Sequence, residues 1–140
     1  MVVLDPDLPP PTYARPGDAG ADLRARVPCL VRAGGGRAVV PTGLRVEIPE
    51  GFAGLVLPRS GLALRHGITL ANSPGLIDSG YRDELAVLVI NTDPEADFQI
   101  QRGDRIAQLV IQRVEHAVFV PVARLSDSVR GVGGFGHTGR

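Results

Sequence analysis

Four polar side chains of different chemistry are concentrated between Asn72 and Leu85, in a stretch that separates two apolar runs. Asn72 supplies an amide, Asp78 a carboxylate, Tyr81 a phenol and Arg82 a guanidinium. Pro-Gly and Ser-Gly pairs interrupt the stretch, which predicts two close turns on a hairpin-like scaffold rather than a helix. Such a loop presents backbone polar groups and a carboxylate to a small ligand. Alternatively, Asn72 and Asp78 only cap the turns, as both residue types commonly do.

A second group of polar residues lies just before a short helical pattern. Four helix-forming residues at positions 62–65 stand between Ser60 and Gly67, which predicts a short helical segment near 60–66 with Ser60 as its N-cap and Gly67 as its C-cap. A helix N-terminus presents free N–H groups and partial positive charge, so with Arg59 beside it the segment is suited to an anion. A purely structural turn capped by Ser60 accounts for the same residues equally well.

Two further polar residues interrupt apolar patterns. Asp22 stands between a glycine-rich turn and the alternating strand predicted from Leu23 to Val27. Its carboxylate either faces a bound cation or ties down its own turn, and the local pattern favours the turn. Gln108 lies inside the predicted buried strand Ile106–Ile111, so its amide must face water, find a partner in the core or point at a ligand.

The C-terminal tail is rich in glycine and carries four residues suited to contact a ligand, which are Arg130, Phe135, His137 and Thr138. It matches the G-x-G-x-x-G pattern but fails as a dinucleotide fingerprint, because that motif must follow a strand and open a helix. A tail of this composition is typical of disorder. Alternatively, it is a flap that orders over a ligand, with the phenylalanine ring stacking and the polar groups meeting phosphate.

The remaining sequence predicts the elements that position these groups. Eighteen Gly and twelve Pro divide the chain into short apolar runs, which predicts an all-β jelly roll or related β-barrel. Strict alternation predicts a half-buried strand at Leu44–Ile48. The nearly continuous apolar run from Glu84 to Asn91 predicts a strand buried on both faces, in the middle of a sheet or at a subunit contact. A last strand is predicted from His116 to Val122.

Composition narrows the class of protein. A chain of 140 residues fits one domain. Fifteen basic residues, all of them arginine, balance fifteen acidic ones, which argues against nucleic acid or an acidic membrane surface as partner. Any phosphate bound by a charged side chain is therefore bound by an arginine fork. The lone Cys29, the N-terminal residues and the absence of a long apolar run predict a cytoplasmic protein with neither a membrane span nor a structural zinc site.

Five stretches taken together resemble the motifs of the trimeric dUTPase family, the deoxyuridine triphosphate nucleotidohydrolases. In the family's order and spacing they are residues 19–23, 58–61, 72–85, 103–108 and 130–139. The resemblance implies a jelly-roll subunit, with a β domain at 1–125 and a C-terminal flap at 126–140, in a homotrimer whose active sites are each assembled from three chains. It also implies Mg²⁺-dependent hydrolysis of dUTP to dUMP and pyrophosphate.

The resemblance further implies a role for each matched residue. Asp78 would orient and activate the attacking water and contact the deoxyribose, Tyr81 would pack under that sugar and exclude a 2′-hydroxyl, and Asn72 would bind the uracil edge. Asp22 would lie in the outer shell of the metal, through water. The phosphates would be held from a neighbouring chain by Arg59, Ser60, Gly61 and Gln108. A third chain would close over the nucleotide with Arg130, Phe135, His137 and Thr138.

Two alternatives remain open. The first is a deoxycytidine triphosphate deaminase, from a family that resembles this one, although the second motif reads Arg-Ser-Gly and no glutamate is placed as a deamination acid/base near the base-binding loop. The second is a nucleotide-sensing or partner-binding module without turnover. The complete set of candidate catalytic residues argues for activity. Asp83 departs from the family pattern, which usually has glycine after the Tyr-Arg pair, and leaves the local turn geometry open.

Overall fold

The computed structural model of the chain describes residues 1–129 and residue 131. The described part contains eleven β-strands and one α-helix. In chain order they are β1 Val2–Val3, β2 Ala21–Arg24, β3 Cys29–Val31, β4 Arg37–Pro41, β5 Leu44–Arg45, β6 Phe52–Leu57, α1 Ser60–His66, β7 Ile68–Leu70, β8 Gly75–Ile77, β9 Ala86–Asn91, β10 Phe98–Ile100 and β11 Arg105–Arg113.

Two antiparallel sheets contain most of these strands. One has the order β2-β11-β6-β8 and the other the order β4-β9-β7. Two shorter antiparallel pairs, β1 with β5 and β3 with β10, complete the described pairings. The all-β, jelly-roll-like architecture predicted from the spacing of glycine and proline is confirmed, although these pairings form open sheets rather than a closed barrel.

The buried apolar side chains of the described strands form one core. Its members include Leu23, Val31, Val40, Val56, Ile68, Val87, Val89, Ile100 and Ile106. Asn91 is buried among them, and its amide is satisfied because Nδ2 donates to the carbonyls of Val31 and Ala96 at 3.1 and 2.9 Å while Oδ1 accepts the N–H of Asp93 at 3.0 Å. The core thus holds together strands that are far apart in sequence.

Strand β9 is central in its sheet, as its apolar sequence predicted, but it is not buried on both faces. Val87, Val89 and Asn91 are buried, whereas Ala86 and Leu88 are exposed. The inner residues reach the core, and among the described residues no further layer covers Ala86 and Leu88. The described part of one chain therefore buries only one face of the strand, and the predicted alternative, a subunit contact on the other face, stays a prediction.

The helix occupies the predicted residues, but its start differs from the prediction. Ser60 is the first helical residue rather than the N-cap, because Arg59 takes the cap position with extended backbone and no side-chain cap bond. Gly67 is the predicted C-cap and has a left-handed φ of 62°, a conformation that glycine adopts at no steric cost. None of the helices in the described part of the chain has the length and apolar character needed to cross a bilayer.

Two strand predictions differ from the structure in their limits. The alternation from Leu44 to Ile48 appears as alternating burial, although paired strand covers only Leu44–Arg45. Strand β2 runs from Ala21 to Arg24 rather than from Leu23 to Val27, so Asp22 lies within it, and Val27, predicted on the buried face, is exposed.

No strand forms at His116–Val122, because the ladder between β6 and β11 ends at Arg113 and the following residues are exposed. That prediction is wrong for the described chain, and Val118, Phe119 and Val120 are left 87%, 92% and 71% exposed.

Candidate active site

Three of the five motif stretches meet at one end of the first sheet. Strand β11 lies between β2 and β6, so that Gln108 stands opposite Asp22 on one side and opposite Leu57 on the other. The chain leaves β6 at Leu57 and reaches Arg59 two residues later. Antiparallel pairing therefore brings Asp22, Arg59 and Gln108 together, although they are far apart in sequence.

Asp22 is the electrostatic centre of this group. Its Oδ1 lies 3.1 Å from Nε of Arg59, and its Oδ2 lies 3.2 Å from Nη1 of Arg105. Arg59 also donates from Nη1 to the carbonyl of Arg105 at 3.3 Å. The side chains of Asp22 and Arg59 are only 17% and 27% exposed, so the pair is screened less than a surface ion pair. The carboxylate thus holds two guanidinium groups in fixed positions.

The amide of Gln108 is fixed by a different contact. Its Nε2 donates to the carbonyl of Pro58 at 3.0 Å, which explains why a polar side chain is tolerated within an apolar strand. Its Oε1 lies against Gly20, where an added Cβ would come within 2.5 Å of that oxygen. Glycine at position 20 therefore leaves the space that the Gln108 amide occupies.

These residues line a cavity of about 500 Å³. Its charged lining consists of three arginines and two aspartates, which gives a net positive formal charge. Arginine forks match phosphate oxygens in geometry as well as in charge. All four residues predicted to hold phosphate, which are Arg59, Ser60, Gly61 and Gln108, line this cavity together with Asp22 and Arg105.

The Asn72–Leu85 loop is built on strand β8, which the sequence reading did not identify. Gly75 is buried in β8 beneath Asn72, since a Cβ added there would lie 3.3 Å from the Asn72 Nδ2. After β8, the Tyr81 N–H donates to the Asp78 carbonyl at 3.1 Å. The Tyr81 hydroxyl donates to the carbonyl of Glu84 at 2.9 Å. The second of the two expected close turns therefore forms between Asp78 and Tyr81.

Asp78 is exposed on this loop and borders a hollow of about 240 Å³ that Phe52 and His116 also line. Within residues 1–129 its carboxylate makes no hydrogen bond or ion pair. Arg82, by contrast, donates to the carbonyls of Ser79 and Tyr81 at 2.6 and 2.9 Å. Arg82 thus shapes the loop, while the Asp78 carboxylate is available to a ligand.

A single chain does not bring Asp78 to the cavity. Ile77 pairs with Gly54 near the start of β6, whereas Gln108 pairs with Leu57 at its end. At about 3.3 Å per residue, Asp78 lies roughly 13 Å along the strand from the register of Gln108. That distance exceeds the reach of a carboxylate, so one chain presents two separate halves.

Sequence reasoning did not single out Arg105, which the structure places beside Asp22 and in the cavity wall. Its position inside the stretch 103–108, three residues before Gln108, was the available signal. Arg130, Phe135, His137 and Thr138 lie outside the described residues, so their roles stay predictions. In the part of the chain that the structure describes, no three His, Cys, Asp or Glu side chains form a cluster able to hold a metal ion.

A sequence model of the dUTPase family matches residues 7–139. The chain is 60% identical over 136 residues to the deoxyuridine 5′-triphosphate nucleotidohydrolase of Thermobifida fusca (strain YX), covering 97% of this chain and 75% of the relative. It is 57% identical over 136 residues to the enzyme of the same name from Streptomyces coelicolor, covering 97% of this chain and 74% of that one.

Among solved structures, the dUTPase of Staphylococcus bacteriophage 80alpha with dUpNHpp has a TM-score of 0.90 at 26% identity, over 99% of this chain and 96% of that one. A mutant dUTPase from phage phi11 of S. aureus, described for its coordination of a structural Mg(II) ion, has a TM-score of 0.81 at 24% identity, over 90% of this chain and 97% of that one. The phi11 likeness supports the fold alone.

Proposed function

The chain belongs to the dUTPase family, and we infer that it hydrolyses dUTP to dUMP and pyrophosphate. The observation that carries this function is the cationic cavity around Asp22, Arg59 and Gln108, which the family's motif residues build. The exposed carboxylate of Asp78 supplies the second requirement, a group that orients water. No covalent nucleophile is needed, since phosphoryl transfer depends on positioning and charge stabilisation.

The cavity binds the triphosphate. Arg59 and Arg105 are held by Asp22 before the ligand arrives, so little side-chain entropy is lost when phosphate oxygens replace solvent. The hydroxyl of Ser60, the backbone at Gly61 and the Gln108 amide line the same space. These groups stabilise the negative charge that develops on the departing pyrophosphate.

Asp78 orients the attacking water and accepts a proton from it as the water oxygen bonds to phosphorus. The bond between the α- and β-phosphoryl groups breaks, since the products are dUMP and pyrophosphate. In this role the exposed carboxylate of Asp78 needs no third residue to act as an acceptor. General-base assistance of this kind contributes about 10²- to 10⁴-fold to a rate.

Tyr81 and Asn72 select the nucleoside. The Glu84 carbonyl holds the Tyr81 hydroxyl, and in the proposed function the Tyr81 ring packs under the deoxyribose and leaves no room for a 2′-hydroxyl. The Asn72 amide and the backbone that follows it bind the uracil edge by hydrogen bonds. A site built in this way rejects a mismatched base edge because its own polar groups would remain unpaired.

Mg²⁺ fits this site as part of a complex with the nucleotide. Both Asp22 oxygens already face an arginine, yet a carboxylate has about four acceptor positions and retains capacity for metal-bound water. The net positive lining favours an anion over a bare cation, and Mg²⁺ usually keeps several waters and binds substrate phosphates. When bound, Mg²⁺ neutralises phosphate charge, and Asp22 would hold its water shell.

The reaction requires more than one copy of the chain. Asp78 and the cavity are separated within one chain, so a neighbouring copy brings its cavity to the Asp78 loop. The apolar, exposed residues from Val118 to Leu125 form an arm that a second copy would cover. We assign the assembly to a homotrimer, with Arg130, Phe135, His137 and Thr138 of a third copy closing over the nucleotide.

The biological setting follows from the reaction. Removing dUTP limits uracil in DNA, and the dUMP product supplies nucleotide synthesis. We place this activity in the cytoplasm.

A hydrolysis panel of dUTP, dTTP, dCTP and UTP with Mg²⁺ tests the function. We expect pyrophosphate release from dUTP at a kcat/KM at least about 10³-fold above the other three. Ammonia release from dCTP would instead identify a deaminase, and nucleotide binding without product would identify a sensing module. Either result would overturn the assignment.

A further inference from the structure

Asp83 occupies the position after Tyr81-Arg82, and its backbone does not require glycine. Among the described residues, every position with positive φ is a glycine, so the aspartate sits in an ordinary backbone conformation without strain. The residue is therefore free to contribute through its side chain. That side chain is 78% exposed, so its contacts have little value for global stability.

The Asp83 carboxylate connects to Tyr81 through one residue, Glu84, whose N–H and carbonyl belong to successive peptide groups. Its Oδ1 accepts the backbone N–H of Glu84 at 2.7 Å. The carbonyl of the same residue, Glu84, accepts the Tyr81 hydroxyl at 2.9 Å. The hydrogen bond to the Glu84 N–H thus limits the movement of Glu84, the residue whose carbonyl holds the Tyr81 hydroxyl.

The same carboxylate ties this part of the loop to the neighbouring segment. Nη2 of Arg45 lies 3.4 Å from Asp83 Oδ1. Glu84 is held on that segment independently, since its Oε1 accepts the Gly43 N–H at 2.7 Å. Leu85 is held on the same segment, residues 42–45, because its N–H donates to the Leu44 carbonyl and its carbonyl accepts the Thr42 N–H. The C-terminal end of the loop, at Glu84 and Leu85, is thus anchored without Asp83. Asp83 links this anchored end to the part of the loop that carries Tyr81.

We propose that Asp83, supported by Arg45, is a positioning residue for Tyr81 that sharpens discrimination between deoxyribose and ribose. This inference rests on the proposed function, in which Tyr81 lies under the sugar. Asp83 does not touch substrate. It restricts the movement of the Tyr81 ring, so the ring cannot shift to accommodate a 2′-hydroxyl.

Four variants test the contact chain by the ratio of kcat/KM for dUTP to that for UTP. In Asp83→Gly the acceptor is lost, and we expect the ratio to fall about five-fold, as for a typical hydrogen bond. Asp83→Asn keeps an acceptor oxygen but loses the charge, so we expect a fall of about two-fold. Arg45→Gln should match Asp83→Asn, and the double variant Arg45→Gln with Asp83→Asn should add nothing further.

Asp97→Asn is the matched control. Asp97 also accepts one backbone N–H, from Ala33 at 2.8 Å, and pairs with one arginine, Arg32 at 2.7 Å. It belongs to another loop, so the sugar ratio should stay at the wild-type value. An equal fall in Asp97→Asn would show a nonspecific effect of losing a surface carboxylate and would overturn the proposal.

A structural measurement separates this proposal from the proposed function. Amide exchange at Glu84, measured by NMR without nucleotide, should be faster in Asp83→Gly than in the wild type. In a Tyr13→Phe background, where Tyr81 is the one remaining tyrosine, Asp83→Gly should also shift the Tyr81 ring resonances. Unchanged exchange and an unchanged sugar ratio in Asp83→Gly would refute the positioning role. If the wild type fails to hydrolyse dUTP, the proposed function fails, while the exchange and ring resonances still decide whether Asp83 positions Tyr81.

Discussion

In the proposed function, the cavity around Asp22 and the loop around Asp78 carry the two halves of the same chemistry, and the chain fixes them to different degrees. In the cavity, part-buried side chains on three adjacent strand ends hold one another through ion pairs and a hydrogen bond to Pro58. On the loop, Asp78 and Tyr81 are exposed, and the fixed contacts there involve mainly the backbone.

This difference indicates a division of labour. The anion-binding half is organised before any ligand or second copy arrives, which lowers the entropic cost of holding a triphosphate. The half proposed to orient water leaves the Asp78 carboxylate accessible, and in the proposed function the cavity of a neighbouring chain completes the site. Variants of the cavity should therefore mainly change binding, whereas variants of the loop should mainly change turnover.

Asp78→Asn should have the largest effect. Asparagine cannot accept the proton from water, so we expect kcat to fall about 10³-fold while a non-hydrolysable dUTP analogue still binds. Pyrophosphate release and isothermal titration measure the two quantities. Asp97→Asn is the control for loss of one exposed carboxylate, and turnover retained in Asp78→Asn would remove Asp78 from its role.

Ending the chain after Val129 should have the next largest effect. This variant lacks Arg130, Phe135, His137 and Thr138 but keeps the apolar arm from Val118 to Leu125. We expect catalysis to fall about 10²-fold, as for a misplaced substrate, with the assembly unchanged in sedimentation. A monomeric product would contradict the assignment of the last residues to nucleotide closure.

Gly20→Ala should weaken the cavity without altering the loop. The new methyl would meet the Gln108 Oε1 at 2.5 Å, so the amide must move and we expect KM to rise about ten-fold with a smaller change in kcat. Gly80→Ala places the same methyl on the loop, where no atom lies within 4 Å. Equal kinetics for these two variants would argue against a prebuilt cavity.

Acid should destabilise the framework that both halves share. Backbone hydrogen bonds from Ala96 and Glu95 hold the pKa of Asp93 below its usual value, and a backbone bond from Ala33 with Arg32 does the same for the pKa of Asp97. Both groups therefore contribute stability that is complete above about pH 4, and it is lost as pH falls through the lowered folded pKa values. The midpoint of urea unfolding should fall less between neutral pH and pH 3 in Asp97→Asn than in the wild type. An equal fall in both proteins would show that Asp97 does not contribute to the acid sensitivity.

The sequence was most informative where the signal was local or carried by motif order. Glycine, proline and alternation predicted an all-β chain, and Gly67 predicted the helix end because only one backbone conformation suits that position. The prediction of Ser60 as N-cap was wrong because it used only the local preference of serine for that position. The direction in which the chain leaves β6 places Arg59 at the cap. The apolar run from His116 to Val122 looked like a strand, since sequence cannot say whether a partner strand exists in the same chain.

The geometry of the site was beyond sequence reasoning for a related reason. The contact of Asp22 with Arg59 and Arg105 depends on the register of β11 against β2, which no local pattern specifies. The separation of Asp78 from the cavity depends likewise on the register of β8 and β11 against β6. Motif order predicted the candidate residues, and strand pairing determines that one chain places them in two separate groups.

Mixing two inactive variants tests most directly whether different copies complete each site. Asp78→Asn retains a working cavity and Arg59→Gln retains a working loop, so each protein alone should be nearly inactive at a dUTP concentration well below the KM of the Arg59→Gln variant. Unfolding and refolding them together in equal amounts should restore roughly a quarter of wild-type activity, because random cyclic trimers then pair an intact loop with an intact cavity at about one site in four. A refolded mixture that assembles but stays as inactive as its components would contradict a site shared between chains.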